Sequence, residues 1–312
     1  VLKPLDVIVA GEIYIDLIMS GFDAWPQPGR ESFASHFHRE IGGGASITAA
    51  ALAKLGSRPG VLAVTGPERD RWLVESLRKN GVDTSFIGID LEEPTGLTVV
   101  ASAPQDRAFL TYAGANRLFP AVLQQAACSN RLSQARHVHL AFAPALDSAA
   151  ELIQAIRRNG CTVSLDVGWH EDWLRGPRAL ALLPAIDIFF PNQTEAQAMT
   201  GEEDAANVLA AFRRAGARTV ALKLGPSGAA LLCDGQTYRI GPHPASPVDT
   251  TGAGDSFDAG FLHFWLNGEP PETCLRAANI CGALSAEALG GIAGVPTTER
   301  LWQELERTSC EK

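Results

Sequence analysis

Strand-like and helix-like segments alternate along most of this 312-residue chain, and that alternation restricts the fold more than any other feature. Residues 6–11 form a continuous apolar run closed by glycine, as expected of a strand buried on both faces of a parallel sheet. From residue 60 onward, strand runs at 61–65, 137–142, 161–166 and 186–190 interleave with helix patterns at 68–80, 148–159 and 205–215. Parallel strands need crossover helices, so the pattern predicts an α/β fold: a doubly wound, mostly parallel sheet flanked by helices. No internal repeat or low-complexity linker interrupts it, which predicts a single domain over 1–312. The Pro-, Gly- and aromatic-rich stretch 21–38 and the alternating segments 95–103 and 107–112 predict a small β-sheet lid, built from about 12–38 and 93–115.

Composition narrows the function classes. With 46% hydrophobic and 20% charged residues the chain reads as a soluble globular protein with a large core. No apolar run approaches the roughly 20 residues that span a bilayer, and residues 1–6 lack a signal peptide's apolar core, so a cytoplasmic location is expected. A net charge of −9 without a basic block argues against nucleic-acid and membrane partners. Cys128, Cys161, Cys233, Cys274, Cys281 and Cys310 never form Cys-x-x-Cys and are expected to be buried free thiols. The pairs His36/His38 and His137/His139 lack a further ligand cluster, and no transition metal is assigned to them.

Chemistry concentrates in Asp249-Thr250-Thr251-Gly252-Ala253-Gly254-Asp255-Ser256-Phe257. A strand-like run ends near Val248, small residues make a turn, and Phe257, Phe261, Phe264 and Trp265 then recur at helical spacing. The N–H groups of Gly252, Ala253 and Gly254 are therefore predicted as unpaired donors at a helix start, where an anion can sit. Asp255 stands beside them, either complementing the helix dipole or accepting a proton. An anion cradle next to a carboxylate suits phosphoryl transfer, in which positioning and charge stabilisation dominate.

This run resembles the second signature of the ribokinase-like (PfkB) family of carbohydrate kinases, and the resemblance extends over almost the whole chain. It implies that Asp255 is the catalytic base and that Gly252, Ala253 and Gly254 form the anion hole. Gly42-Gly43-Gly44, feeding the alanine-rich helix that Gly56 stops, resembles the first signature and makes Gly43 and Gly44 substrate contacts. The family's asparagine there is replaced by Ile47, which predicts an apolar edge facing the acceptor. Asp16, a carboxylate able to accept from a vicinal diol, matches the family's sugar-hydroxyl acceptor. Asp166 ends its strand as the family's Asp-Pro-Asn-x-Arg does, with Val167-Gly168-Trp169-His170 following instead, and joins the substrate side.

Asn192 and Glu195 match the family's Asn-x-x-Glu, which organises Mg²⁺ through water; read from the residues alone they are equally a helix-capping pair. Gly225 and Gly228 match the nucleotide-side hairpin, and Lys223 reads either as a phosphate contact or as a solvated strand end. Asn279 and Gly282 match the adenine-facing wall. A K⁺ site is implied near Asp249 and Thr251, closed by carbonyls of 288–292. The resemblance thus implies ATP- and Mg²⁺-dependent phosphorylation of a primary hydroxyl on a sugar-like small molecule, and a homodimer formed through the lids. The alternatives are a nucleoside kinase of the same fold and a non-catalytic sugar- or nucleotide-sensing protein.

Overall fold

A computed structural model describes residues 3–67, 71–103 and 107–310, with only the backbone described at 177 and 308–310. Eight strands form the main sheet: β1 (Leu5–Gly11), β4 (Pro59–Leu62), β9 (Ala135–Ala141), β10 (Thr162–Asp166), β11 (Ile188–Phe189), β12 (Thr219–Lys223), β13 (Ala229–Cys233) and β14 (Gln236–Ile240). Their order is β14-β13-β12-β11-β10-β9-β1-β4. Neighbours from β12 through β4 are parallel, and β13 and β14 add an antiparallel edge.

Helices cover both faces, as the apolar runs require. Val7 and Val9 of β1 point into a core with α1 (Gly44–Lys54), α2 (Arg71–Lys79), α9 (Ala253–Leu266), α10 (Pro271–Ser285) and α11 (Thr298–Cys310). Ile8 and Ala10 point into a second core with α3 (Phe119–Cys128), α4 (Leu146–Arg158), α5 (Glu171–Leu174), α6 (Pro177–Leu180), α7 (Gln193–Thr200) and α8 (Ala205–Arg214). The chain leaves β1 for β4 on one side and later returns to β9 on the other, so the topological switch point lies between β1 and β9. In open α/β sheets the ligand crevice opens at the carboxyl ends of strands beside such a point.

A separate antiparallel and parallel sheet, ordered β3-β2-β7-β8, contains β2 (Tyr14–Phe22), β3 (Ala34–Gly42), β7 (Leu97–Ser102) and β8 (Arg107–Tyr112). Its strand β3 runs to Gly42, past the expected boundary at 38, because β3 pairs with β2 along its length. The run 61–65 is two strands, since β5 (Val64–Thr65) leaves the main sheet to pair with β6 (Gly88–Ile89). The run 186–190 keeps only two residues of strand before Pro191. The helix expected over 68–80 begins outside the described residues. Helices α3, α5, α6 and α11 and strands β6 and β14 are additions to the sequence-based elements. Among the described thiols Cys161, Cys274 and Cys281 are buried, but Cys128 is exposed at the end of α3; the Cys310 side chain lies outside the described residues. No helix among the described residues is long and apolar enough to cross a membrane.

Candidate active site

The loop after residue 249 turns into α9 through Gly252, whose φ of 73° is left-handed. A β-carbon there would also lie 2.7 Å from Gly291 Cα and 2.9 Å from Ile47 Cγ2, so conformation and space both call for glycine. The amides of Gly252 and Gly254 have no hydrogen-bond partner among the described residues. The Ala253 amide differs from expectation: it donates to the Thr250 carbonyl at 3.2 Å, because the turn closes on itself. Two donors, together with the dipole of a 14-residue helix, remain for an anion. The same spot is faced by Lys223, whose Nζ is 3.6 Å from where a Gly254 β-carbon would stand.

Asp255 is in the first turn of α9, and burial, reinforced by Asp166 and opposed by Lys223, pushes its carboxyl up to about 6. Gly44, the first residue of α1, gives the carboxylate room: a β-carbon at that position would lie 2.9 Å from Asp255 Oδ1. Two cavities meet here. One of about 820 Å³ is lined by Glu12, Gly44, Phe142, Asp166, Trp169 and Asp255 among others. The other, of about 500 Å³, is lined by Lys223, Gly225, Gly228, Gly254, Asn279 and Gly282 among others. Their boundary falls between Gly254 and Asp255 and between Lys223 and Asp166.

Lys223 ends β12 but is not a solvated strand end. Its Nζ donates to Asp166 Oδ2 at 2.6 Å and to Asp258 Oδ1 at 3.2 Å. Burial works against this ammonium, yet Asp166, Asp258 and Glu195 outweigh it and hold its pKa above that of an ordinary lysine. Burial opposes ionisation of Asp166 too, but Lys223, a hydrogen bond from Asp258 and the Gly168 amide bring its carboxyl down to about 2. Asp258, one turn after Asp255 and fully buried, is shifted the opposite way, chiefly by burial, with Lys223 opposing the shift and Asp166 reinforcing it. Sequence reasoning gave Asp258 no role. Its signal was a carboxylate set among Phe257, Ala259, Gly260 and Phe261 on a largely apolar helix.

Behind Asp258 the buried polar chain continues. His139 Nε2 is 4.0 Å from Asp258 Oδ2, and His139 Nδ1 and His137 Nε2 both lie 2.7 Å from Ser164 Oγ. His137 Nδ1 is 2.8 Å from Thr162 Oγ1, and the register of β9 against β10 places these residues opposite one another. Burial disfavours the charged form of both imidazoles, with His139 pushed down to about 4.

Asp16 lies on β2 opposite Glu40, buried to 9% exposure, and a side chain at Gly42 would run into its carboxylate. Burial pushes Asp16 up to about 6; Thr98 opposes the shift, and Glu40 and Asp249 reinforce it. Gly43 is the turn residue before α1 and packs on the Glu12 carbonyl. Ile47 corrects the expected apolar edge: it is 3% exposed and wedged against Gly252 and Gly291, supporting the anion loop from below. Ser46, next to it, is fully buried, and its Oγ has no hydrogen-bond partner among the described residues.

Asn192 and Glu195 form a complete capping box on α7. Asn192 Oδ1 accepts from the Glu195 amide at 2.9 Å, and Glu195 accepts from the Asn192 amide at 2.8 Å and from Asn192 Nδ2 at 2.6 Å. At the hairpin, Gly225 faces open space, whereas a side chain at Gly228 would run into the Ile240 carbonyl. Asn279 Nδ2 donates to the Gly241 carbonyl at 3.0 Å, and Gly282 lets α10 approach α9, 3.0 Å from the Ala253 carbonyl to its β-carbon position. Asp249 Oδ1 accepts from the Thr251 amide at 2.9 Å and from Arg107 Nη1 at 2.7 Å; the Arg107 contact had no sequence signal.

Solved structures identify this fold as that of ribokinase. Arabidopsis thaliana ribokinase complexed with ribose and ATP superposes with a TM-score of 0.81 at 26% identity, covering 97% of this chain and 99% of that one. An E. coli protein solved with ATP and Mg²⁺ superposes with a TM-score of 0.82 at 23% identity, with coverage of 97% and 99%. A family model described as pfkB family carbohydrate kinase matches residues 5–298. The 2-dehydro-3-deoxygluconokinase of Bacillus subtilis is 29% identical over 294 residues, 89% of this chain and 91% of that protein. The ATP-dependent ribose-1-phosphate kinase of Halopiger xanaduensis is 31% identical over 298 residues, with coverage of 94% and 95%. The chain belongs to the pfkB family of carbohydrate kinases.

Proposed function

We propose that this carbohydrate kinase transfers the γ-phosphoryl group of ATP to a primary hydroxyl of a sugar or sugar-like acceptor. The carrying observation is the junction of two cavities at Gly254 and Asp255, with two free amides and the Lys223 ammonium on one side and the base on the other. Asp255 accepts the acceptor's hydroxyl proton as its oxygen attacks phosphorus, and the proton stays on the carboxyl until product leaves. The Gly252 and Gly254 amides and Lys223 stabilise charge on the transferring group, an effect strongest in a site closed to water. Asp16 orients the acceptor by accepting from its hydroxyls, with Gly43 and Gly44 lining the approach.

The nucleotide fits the cavity walled by Gly225, Gly228, Asn279 and Gly282. Among the described residues no group of three or more His, Cys, Asp or Glu side chains could hold a metal ion by itself. The donor set suits Mg²⁺ brought in by the nucleotide and touched through water by Glu195, whose direct hydrogen bonds go to Asn192. Bound there, the ion would neutralise phosphate charge. The chain is read as one α/β domain on which the β3-β2-β7-β8 sheet acts as a lid excluding water. Exposed Phe37, Phe109 and Leu110 on that sheet are the surface a second copy would use, which sedimentation at two concentrations tests.

A nucleoside kinase is the second reading, favoured by the size of the 820 Å³ cavity and by Phe142 and Trp169 in its wall. ADP release from ATP with purified protein, across a panel of sugars and nucleosides, tests both. Turnover with a sugar supports the first reading, and turnover with nucleosides alone supports the second. No ADP release with any acceptor favours a sensing protein.

A further inference from the structure

The family resemblance implies a monovalent cation between Asp249, Thr251 and the loop at 288–292, but the side chains do not fit one. Asp249 Oδ1 already accepts from the Thr251 amide and, at 2.7 Å, from Arg107 Nη1, while Oδ2 accepts from the Gly290 amide at 3.0 Å. The same Arg107 nitrogen donates to Thr251 Oγ1 at 3.2 Å, so both side chains expected at the ion are bound to a guanidinium. Two of the loop carbonyls also accept hydrogen bonds: Lys54 Nζ donates to Ile292 O at 3.4 Å, as well as to the following Ala293 O at 3.1 Å, and Ser256 Oγ donates to Gly291 O at 3.4 Å.

We propose that Arg107 takes the place of the monovalent cation at the anion loop, so that phosphoryl transfer in this protein requires neither K⁺ nor Na⁺. One positive charge is what the locality needs. Asp249, Asp16 and Glu40 lie close enough that Asp249 disfavours ionisation of the other two. A guanidinium supplies that charge at every physiological pH and, unlike a hydrated ion, in a fixed direction. Arg107 opens β8, opposite Ser102 of β7, while Asp249 and Thr251 directly precede Gly252; the contact spans 142 residues of sequence. By holding Asp249 and Thr251 it fixes the peptide that leads into the Gly252 amide. It is a positioning residue, delivered by the small sheet, and closure of that sheet and assembly of the anion loop become one event.

The test rests on reading Gly252 to Asp255 as the transfer site, and one of its arms does not depend on turnover. Wild-type protein, Arg107→Gln and Arg107→Lys are assayed for ADP release in KCl, in tetramethylammonium chloride, and in tetramethylammonium chloride with added guanidinium chloride, at equal ionic strength. Wild type should differ by less than about twofold between the salts, whereas Arg107→Gln should lose about tenfold or more in tetramethylammonium and recover with K⁺ or guanidinium. Arg107→Lys, which keeps the charge, should stay indifferent to K⁺. In parallel, KCl should raise the melting temperature of Arg107→Gln over tetramethylammonium chloride and leave wild type unchanged. Clear K⁺ activation or stabilisation of wild type overturns the proposal. So does an Arg107→Gln protein that matches wild type without K⁺, or one that neither cation restores. Absence of ADP release from wild type in any salt counts against the transfer reading instead, and the melting arm still decides whether Arg107 substitutes for a cation.

Discussion

With Asp255 as the proposed base and Asp16 as the proposed hydroxyl acceptor, two carboxyls should set the acid limb of the pH profile. Asp255 and Asp16 are each pushed up to about 6, mainly by burial. Both roles need the carboxylate, one to take a proton and the other to accept hydroxyl hydrogen bonds. Raised pKa values therefore remove activity as pH falls through 6, not as it rises. With a pKa near 6, about nine-tenths of each group is ionised at pH 7 and about a tenth at pH 5. Requiring both makes kcat/KM at pH 5 about a hundredth of its plateau, and log kcat/KM should approach a slope of two. Asp16→Asn removes one titration, so its profile should fall with a slope of one from a lower plateau. Initial rates of ADP release from pH 4.5 to 8, with circular dichroism to check folding at each pH, measure this directly. A profile flat down to pH 5, or an Asp16→Asn limb as steep as wild type, refutes the assignment of these two groups.

Asp255→Asn should lower kcat by about 10²–10⁴-fold with little change in ATP affinity, and near-normal turnover would remove it as the base. Gly44→Ala places a methyl 2.9 Å from Asp255 Oδ1 and should cost about tenfold or more in kcat with the melting temperature nearly unchanged. Because burial raises the Asp258 carboxyl and makes its charge costly, Asp258→Asn should destabilise less than Lys223→Met, which strands the buried Asp166 charge and should cost about 3–5 kcal/mol in urea unfolding. Glu195→Gln should raise the Mg²⁺ concentration needed for half-maximal rate; a fall of about 2–4 °C in melting temperature with unchanged Mg²⁺ dependence would leave capping as its whole role.

The sequence by itself determined what short-range periodicity and backbone chemistry control. Apolar runs ended by glycine marked the parallel strands, and apolar spacing after Gly254 marked the start of α9. The Asn192–Glu195 box, closed within four residues, was legible in full. The short helices α5 and α6 were not legible, because four residues carry too little periodicity to stand out.

Tertiary structure alone decided how the charges pair. Lys223 meets partners 57 and 35 residues away, and Arg107 meets one 142 residues away; nothing local encodes those encounters. It also decided the direction in which Ile47 points. The acceptor-facing reading came from its place in a glycine-rich motif, but helix α1 rotates that side chain under Gly252 and Gly291. Proton affinity followed the same rule: Asp166, Asp255 and Asp258 are chemically identical in sequence, and only burial and the neighbouring charges lower the carboxyl of the first and raise those of the other two.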